Sequence, residues 1–411
     1  MVAYDPLTDN DPNPWSKMAE DRHRCPIAHI KQQGVEYFQV STYELVKQAH
    51  REYDNFRNAP GVSLLGAMPA ERQVLTFADP PRHTFQRKLL GKAFSASRVN
   101  LQAARIQEIA DDLVDAIAAQ ESRSFPLRAA FARPLPAQTF LEILRIPVDD
   151  RDRLLGWIDV EERSVGKVLS SDEQAQLEAE FHQMEDEFHA YARAEMRKRF
   201  GTQARDLLSA IINAEVDGQR ASETEAAAII HLLLTAGVGT SSVGISNLIW
   251  AIESHPEEKR KLLSDLDGLA ESAVEEGFRF DCPVQGNFRG VGKPSQLGGL
   301  DLQAGDRLYM LMSSANHDEL VYDRPDEFIV DRDWANLPRH MAFGFGIHFC
   351  IGSDLARLVT QIALKTIYRR LPGLRAEPGY EPTQIPGMTF RTWREVEMVY
   401  DGPALPRAAV A

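Results

Sequence analysis

Cysteine is scarce in this 411-residue chain, which carries only Cys25, Cys282 and Cys350. So few thiols, odd in number, argue against a disulfide framework and fit a reducing cytoplasm. No run of about 18 apolar residues occurs, so no membrane span is expected. The opening stretch, MVAYDPLTDNDPNPW, lacks a basic region followed by an apolar one, and no secretory signal is expected. Positive charge is in short supply too. Lys and Arg number 46 against 60 Asp and Glu, and the net charge of −14 disfavours nucleic acid as a partner. Internal repeats and low-complexity linkers are missing, so residues 1–411 read as a single domain. What remains, 44% hydrophobic and 26% charged residues, suits a globular protein with a substantial core.

Helical periodicity dominates from about 82 to 270 and again over about 353–372. ADDLVDAIAAQ and EFHQMEDEFHAYARAEMRKRF, for example, space apolar residues three and four apart. Strand-like text and Gly/Pro turns fill about 30–60, 283–328 and 375–411. The longest helix candidate begins near Ser222, where SETE offers a Ser-x-x-Glu capping box, and should stop before Pro256. Some 30 residues at 1.5 Å rise cross about 45 Å, so a helix this apolar in its middle is expected to be central and buried. The fold class expected is mainly α with a minor β portion.

MAFGFGIHFCIGSDLARL, residues 341–358, gathers Gly344, Gly346, His348, Cys350 and Gly352 ahead of an amphipathic helix. A helix N-terminus offers free N–H groups and partial positive charge, which favour thiolate over thiol at Cys350. The glycines let backbone approach a flat cofactor and donate N–H bonds to sulfur. Phe343 and Phe349 wall off water, and His348 can donate to an anionic edge. With no second Cys or His at zinc spacing, a lone soft thiolate points to haem iron rather than zinc. A buried inert thiol is the plainer alternative.

FGFGIHFCIG resembles the Phe-Gly-x-Gly-x-His-x-Cys-x-Gly haem loop of the cytochrome P-450 family. The likeness runs from about residue 40 to 400. It implies the cytochrome P-450 fold, with haem b (iron protoporphyrin IX) between the long central helix and the cysteine loop. It also implies Cys350 as the metal ligand, with Phe343, Gly344 and Gly352 touching the cofactor. DPPRHTFQRKLLGKAF resembles the family's His-x-x-x-Arg helix, so His83 and Arg87 are expected to bind haem carboxylates. Four residues apart, they project to one side of a helix. Arg289 in VQGNFRG and His348 are expected to join them. Glu276 and Arg279 resemble the family's structural Glu-x-x-Arg pair, with Arg332 completing a buried charge network.

TAGVGTSS, residues 235–242, departs from the family. There the stretch reads Ala-Gly-x-Asp/Glu-Thr-Thr/Ser; Ala236, Gly237, Thr240 and Ser241 match, but Gly239 stands in the acid's place. Two glycines and a threonine in mid-helix cost about 1–2 kcal/mol relative to alanine. They suit either a bulge that admits water or tight packing against another helix. The resemblance implies a Thr240 hydroxyl that stabilises the oxygen under activation and an acid that relays protons. Without that acid, ordered water, Ser241 or the substrate itself is expected to take over the relay.

By the same resemblance, Leu64, Leu65, Leu234, Ala236, Val284, Thr389 and Phe390 are expected to line the substrate pocket. Mostly apolar, they suit a lipophilic small molecule, hydroxylated or oxidatively demethylated by a haem-thiolate monooxygenase. Arg82, Arg87, Lys88 and Lys92, with Arg339 and Arg357, are expected to form a basic cysteine-side face for an acidic iron–sulfur ferredoxin. No fused reductase fits this length, so electrons would come from NAD(P)H through a separate ferredoxin reductase. A cytoplasmic location is expected. Gly239 keeps two alternatives open, a peroxide-driven peroxygenase and a non-catalytic haem-thiolate sensor.

Overall fold

The structure, a computed structural model, describes residues 2–32, 35–59, 73–91, 93–164, 171–202 and 206–407. Leu64, Leu65 and Lys92 lie outside the described residues. Helix α1 (Trp15–Arg24) leads into strands β1 (Ile27–Gln32) and β2 (Val35–Val40), helix α2 (Tyr43–Arg51) and strand β3 (Phe56–Arg57). A helical stretch follows: α3 (Arg82–Gly91), α4 (Ala96–Asn100) and α5 (Ala103–Ala118). After the short strand β4 (Ser124–Pro126) come α6 (Pro134–Ile143), α7 (Arg151–Ser164), α8 (Ser171–Arg199) and α9 (Leu207–Asn213). The central α10 (Glu223–Ser254) is succeeded by α11 (Pro256–Ser264) and α12 (Leu266–Phe280).

Strands then return as β5 (Gly286–Val291), β6 (Ser295–Leu297), β7 (Leu300–Leu302) and β8 (Arg307–Leu311), before the short α13 (Met312–Asn316). The cysteine loop precedes α14 (Ser353–Arg370), and β9 (Arg375–Ala376), β10 (Gln384–Ile385), β11 (Thr392–Trp393) and β12 (Glu397–Val399) close the chain. The largest sheet has the order β1-β2-β8-β5-β3. All its pairs are antiparallel except β2 with β8, where Gln39 stands opposite Tyr309. Arg289 thus sits on an inner strand, opposite Leu308.

Local chemistry explains α10. Ser222 accepts the Glu225 N–H at 3.1 Å, so half of the capping box forms. The other half does not, because the Glu225 carboxylate is taken by Arg82 and Gln86 of α3. Ile229, Ile230, Leu233, Leu234, Ile245, Leu248 and Ile252 bury its apolar faces. Among the described residues it alone is long and apolar enough to cross a membrane, and 67% of its most apolar window is buried inside the fold. It packs against α6, α8, α12 and α14, and so stands at the centre of the helical part.

Candidate active site

The cysteine loop takes its shape from two glycines that no other residue could replace without strain. Gly344 and Gly346 have φ of +68° and +69°. At Gly346 a Cβ would also lie 2.6 Å from the His50 carbonyl at the end of α2, so the loop is seated directly on that helix. Below the loop, Cys350 N–H donates to the Phe343 carbonyl at 2.9 Å, and Gly352 caps α14. The Gly352 N–H donates to the Cys350 sulfur. Cys350 is deeply enclosed yet reaches open space, so it borders an internal recess.

The expected thiolate preference is corrected by the structure. Burial pushes the Cys350 thiol up, and the Gly352 N–H, Arg87 and Arg357 only partly oppose it. A helix terminus alone does not outweigh desolvation here; a metal cation would remove the proton.

Phe343 packs at 4.9 Å from Phe278 and lies under the Arg357 guanidinium at 4.4 Å. The loop is tied to α12 through Glu275. Arg357 of α14 reaches its two oxygens at 2.5 and 2.9 Å, and His340 Nε2 approaches at 3.2 Å. Although burial pushes the other way, those hydrogen bonds hold Glu275 down at about 2. The next residue, Glu276, turns about 100° away around α12. It receives Arg279 through two bonds of 2.8 Å and Arg332 at 3.0 Å, all buried, as the Glu-x-x-Arg spacing implied.

Beside Cys350 the structure gathers basic groups to which, among the described residues, no carboxylate is hydrogen-bonded. The His83 and His348 rings stand 4.1 Å apart. Arg87 is close enough to the sulfur for the two charges to interact. Arg289 gives only its NH1 group to Asn287 Oδ1 and the Phe288 carbonyl, at 3.3 and 2.9 Å. Burial and the neighbouring cations depress the histidines: His83 falls to about 4 and His348 to about 2. Burial pulls Arg289 down to about 10, with Asp79 opposing it from a distance. Asp79 itself is engaged by the Asn58 and Ala59 N–H groups.

A further member, His50, escaped the sequence reading. Its Nδ1 donates to the Val46 carbonyl at 2.8 Å, while its buried Nε2, like that of His348, has no partner among the described residues. Burial first and then Arg289 lower it to about 3. Its only signal in the sequence is a histidine near the end of an otherwise ordinary amphipathic helix. Two guanidiniums without paired acids and two orphaned imidazole nitrogens, among the described residues, fit a dianionic cofactor edge. The haem carboxylates meet that requirement, and the donor set beside them is a lone sulfur.

On α10 the outcome is mixed. The helix is α-helical throughout, and no bulge interrupts residues 235–242. Gly237 answers to packing: a Cβ there would fall 2.1 Å from the Phe140 ring of α6. Thr240 donates its hydroxyl proton to the Ala236 carbonyl at 2.6 Å. Ala236 and Thr240 lie on the less covered side, whereas Gly239 and Ser241 are buried. Leu234 is corrected: at 1% exposure it packs in the core, because two residues along an α-helix turn a side chain to the other side. Val284 and Phe390 do meet, as bridged backbone partners, and Gln285 N–H donates to the Thr389 carbonyl at 2.9 Å.

The expected basic face is thinner than drawn. Arg82 pairs with Glu225, Lys88 with Asp217 and Arg357 with Glu275. Arg339 remains, its guanidinium 5.8 Å from the Phe349 ring. Sequence reading missed Arg51, exposed at the end of α2 and 5.1 Å from the Phe345 ring.

Comparison with known proteins shows the family. The family model "Cytochrome P450" matches residues 6–138 and 167–372. Cytochrome P450 monooxygenase PikC of Streptomyces venezuelae is 35% identical over 368 residues, covering 88% of this chain and 85% of that protein. A steroid C26-monooxygenase of Mycolicibacterium smegmatis is 32% identical over 339 residues, covering 82% of this chain and 80% of its own. The crystal structure of CYP109E1 from Bacillus megaterium with corticosterone superposes with a TM-score of 0.83 at 27% identity, covering 94% of this chain and 98% of that one. The chain belongs to the cytochrome P450 family. It is a haem-thiolate monooxygenase with the mainly helical fold of that family.

Proposed function

We propose that Cys350 carries the thiolate that ligates haem iron, and that His83, Arg87, Arg289 and His348 hold the haem carboxylates, with His50 beside them. One observation carries this reading: a recessed sulfur takes the Gly352 N–H while the arginines and histidines beside it have no hydrogen-bonded carboxylate among the described residues. Haem iron held by a thiolate supplies dioxygen activation and insertion of one oxygen atom into an unactivated C–H bond. Phe343 and Phe349 keep water from the sulfur. Thr240 holds at rest the proton that it gives to the Ala236 carbonyl and turns it toward the substrate side in turnover. With Gly239 in place of an acid, ordered water, Ser241 or the substrate relays the proton. The whole chain acts as one domain.

The substrate is a lipophilic small molecule held among Ala236, Val284, Thr389 and Phe390, hydroxylated or oxidatively demethylated. The relative named for steroid oxidation and the neighbour solved with corticosterone support that class. Electrons pass from NAD(P)H through a reductase to an acidic ferredoxin in the cytoplasm. That ferredoxin docks on the cysteine-side face at Arg51 and Arg339. Peroxide-driven turnover is the second reading, favoured by Gly239, since peroxide brings its own protons. Faster product formation with peroxide than with oxygen and ferredoxin selects it.

Two substitutions test the assignment. Cys350→Ala is expected to abolish the thiolate-type absorption band of the reduced carbon monoxide complex; an unchanged band overturns the ligand assignment. Arg51→Glu combined with Arg339→Glu is expected to slow reduction by ferredoxin about tenfold at low salt and to flatten its salt dependence. Unchanged kinetics would move the docking face elsewhere.

A further inference from the structure

Away from the cysteine, α8 and α10 bring three metal-ligating side chains together. Glu185 and His189 are four residues apart on α8 and so share one face. His231 comes from the first half of α10, which packs against that face. One ligand atom from each lies within 4.8 Å of the others. The ring of His231 is held by stacking on Phe188, with centroids 4.6 Å apart at 29°, and stands 6.1 Å from the His189 ring. Glu185 is 2% exposed, so its carboxylate is held inside the fold within reach of both imidazoles. His182, one turn earlier on α8, places Nδ1 3.8 Å from a Glu185 oxygen at the exposed rim.

We propose that Glu185, His189 and His231 form a binding site for a first-row divalent metal ion, zinc by preference, that clips α8 to α10. Two imidazoles and one carboxylate are a zinc donor set with a fourth position left for water or His182. Calcium and magnesium demand more oxygen ligands than this cluster offers, and copper(I) prefers sulfur. With bonds of about 2.0–2.2 Å, tetrahedral ligand atoms stand roughly 3.4 Å apart. The three side chains therefore have at most about 1.4 Å to close, a distance within the reach of side-chain rotation. The clip fastens α10 five residues before Ala236, so the ion steadies the segment that carries Ala236 and Thr240. The site is independent of the haem assignment.

The test uses the haem-loaded protein, freed of loose metal by a chelator and titrated with zinc alone. One zinc per chain is expected beyond the haem iron, and saturating zinc should raise the unfolding midpoint by about 3–5 °C. Glu185→Gln, His189→Gln and His231→Gln should each weaken zinc binding at least about tenfold and erase the thermal shift. His29→Gln, which removes an exposed imidazole elsewhere, should bind as the parent does. An unaltered haem spectrum certifies folding of each variant, and His189→Gln and His231→Gln, both at half-buried positions, disturb packing less than a change at the buried Glu185. Zinc that binds equally well to all three variants, or no saturable zinc, overturns the proposal.

Discussion

Glu276, Arg279 and Arg332 lie buried with each charged group hydrogen-bonded. The carboxylate receives both guanidiniums, and the remaining N–H groups go to the Asn316, Pro325, Asp323, Arg324 and Glu327 carbonyls. Among the described residues, His50, His83, Arg87, Arg289 and His348 lie close to the cysteine loop with no carboxylate hydrogen-bonded to them, Asp79 acting only from a distance, and with two imidazole nitrogens unsatisfied. The first group is complete as the chain folds. On the assignment proposed above, an anion completes the second, because uncompensated buried cations and orphaned nitrogens each cost free energy. A closed network is then a brace, and an open one a receptor.

The largest expected effect would break this contrast if it failed. Arg279→Leu leaves Glu276 short of its two-bond partner and should cost about 3–5 kcal/mol in haem-free and haem-loaded protein alike. Arg289→Leu should have opposite signs in the two states. It relieves a buried charge, so the haem-free chain gains or keeps stability. The loaded protein, losing a charge-assisted hydrogen bond worth about 1.5–3 kcal/mol, should retain haem roughly ten- to a hundredfold less tightly. Urea unfolding with and without haem reads both, and a loss of equal size in both states for Arg289→Leu would erase the distinction.

Acid should discriminate next. His50, His83 and His348 are held near 3, 4 and 2, below the ordinary value of 6.5. A folded-state value below the unfolded one means that the unfolded chain takes protons first. Stability is then present above pH 6.5 and lost as pH falls toward the folded values. For the haem-free protein the loss from pH 7 to 5 should reach roughly 1–2 kcal/mol per buried histidine. Anionic carboxylates beside His83 and His348 would raise their folded values, so the loaded protein should lose less. Denaturation midpoints at the two pH values, with and without haem, measure this directly; equal losses would mean that no anion sits among these rings.

Much of this contrast was legible in the residues. The cysteine loop announces itself because positive-φ glycines, a helix cap and a sulfur must follow one another at fixed spacing. His83 with Arg87, and Glu276 with Arg279, are visible for the same reason, being four and three apart on single helices. His50, Arg51 and Glu275 were not visible, because their roles come from elements remote in the chain: α2 under the loop, and α12 against α14. Leu234 and Ala236 were read alike although two positions along a helix face different ways. Gly237 belongs with the close contacts that only Phe140, 97 residues earlier, could explain.

The smallest effect concerns Glu275, which lies between the two cases. Its partners His340 and Arg357 are real, but the Arg357 side chain is 26% exposed, and water screens part of the attraction. Arg357→Leu should therefore cost only about 1 kcal/mol at pH 7, well below Arg279→Leu. Glu275 is held at about 2, below its ordinary 4.5, so this contribution is present above pH 4.5 and fades as pH falls toward 2. The difference between parent and variant should thus shrink between pH 5 and 3, when both are followed by urea unfolding in the same buffers. A cost as large as that of Arg279→Leu, or one indifferent to acid, would mean that burial is not what separates the closed network from its neighbours.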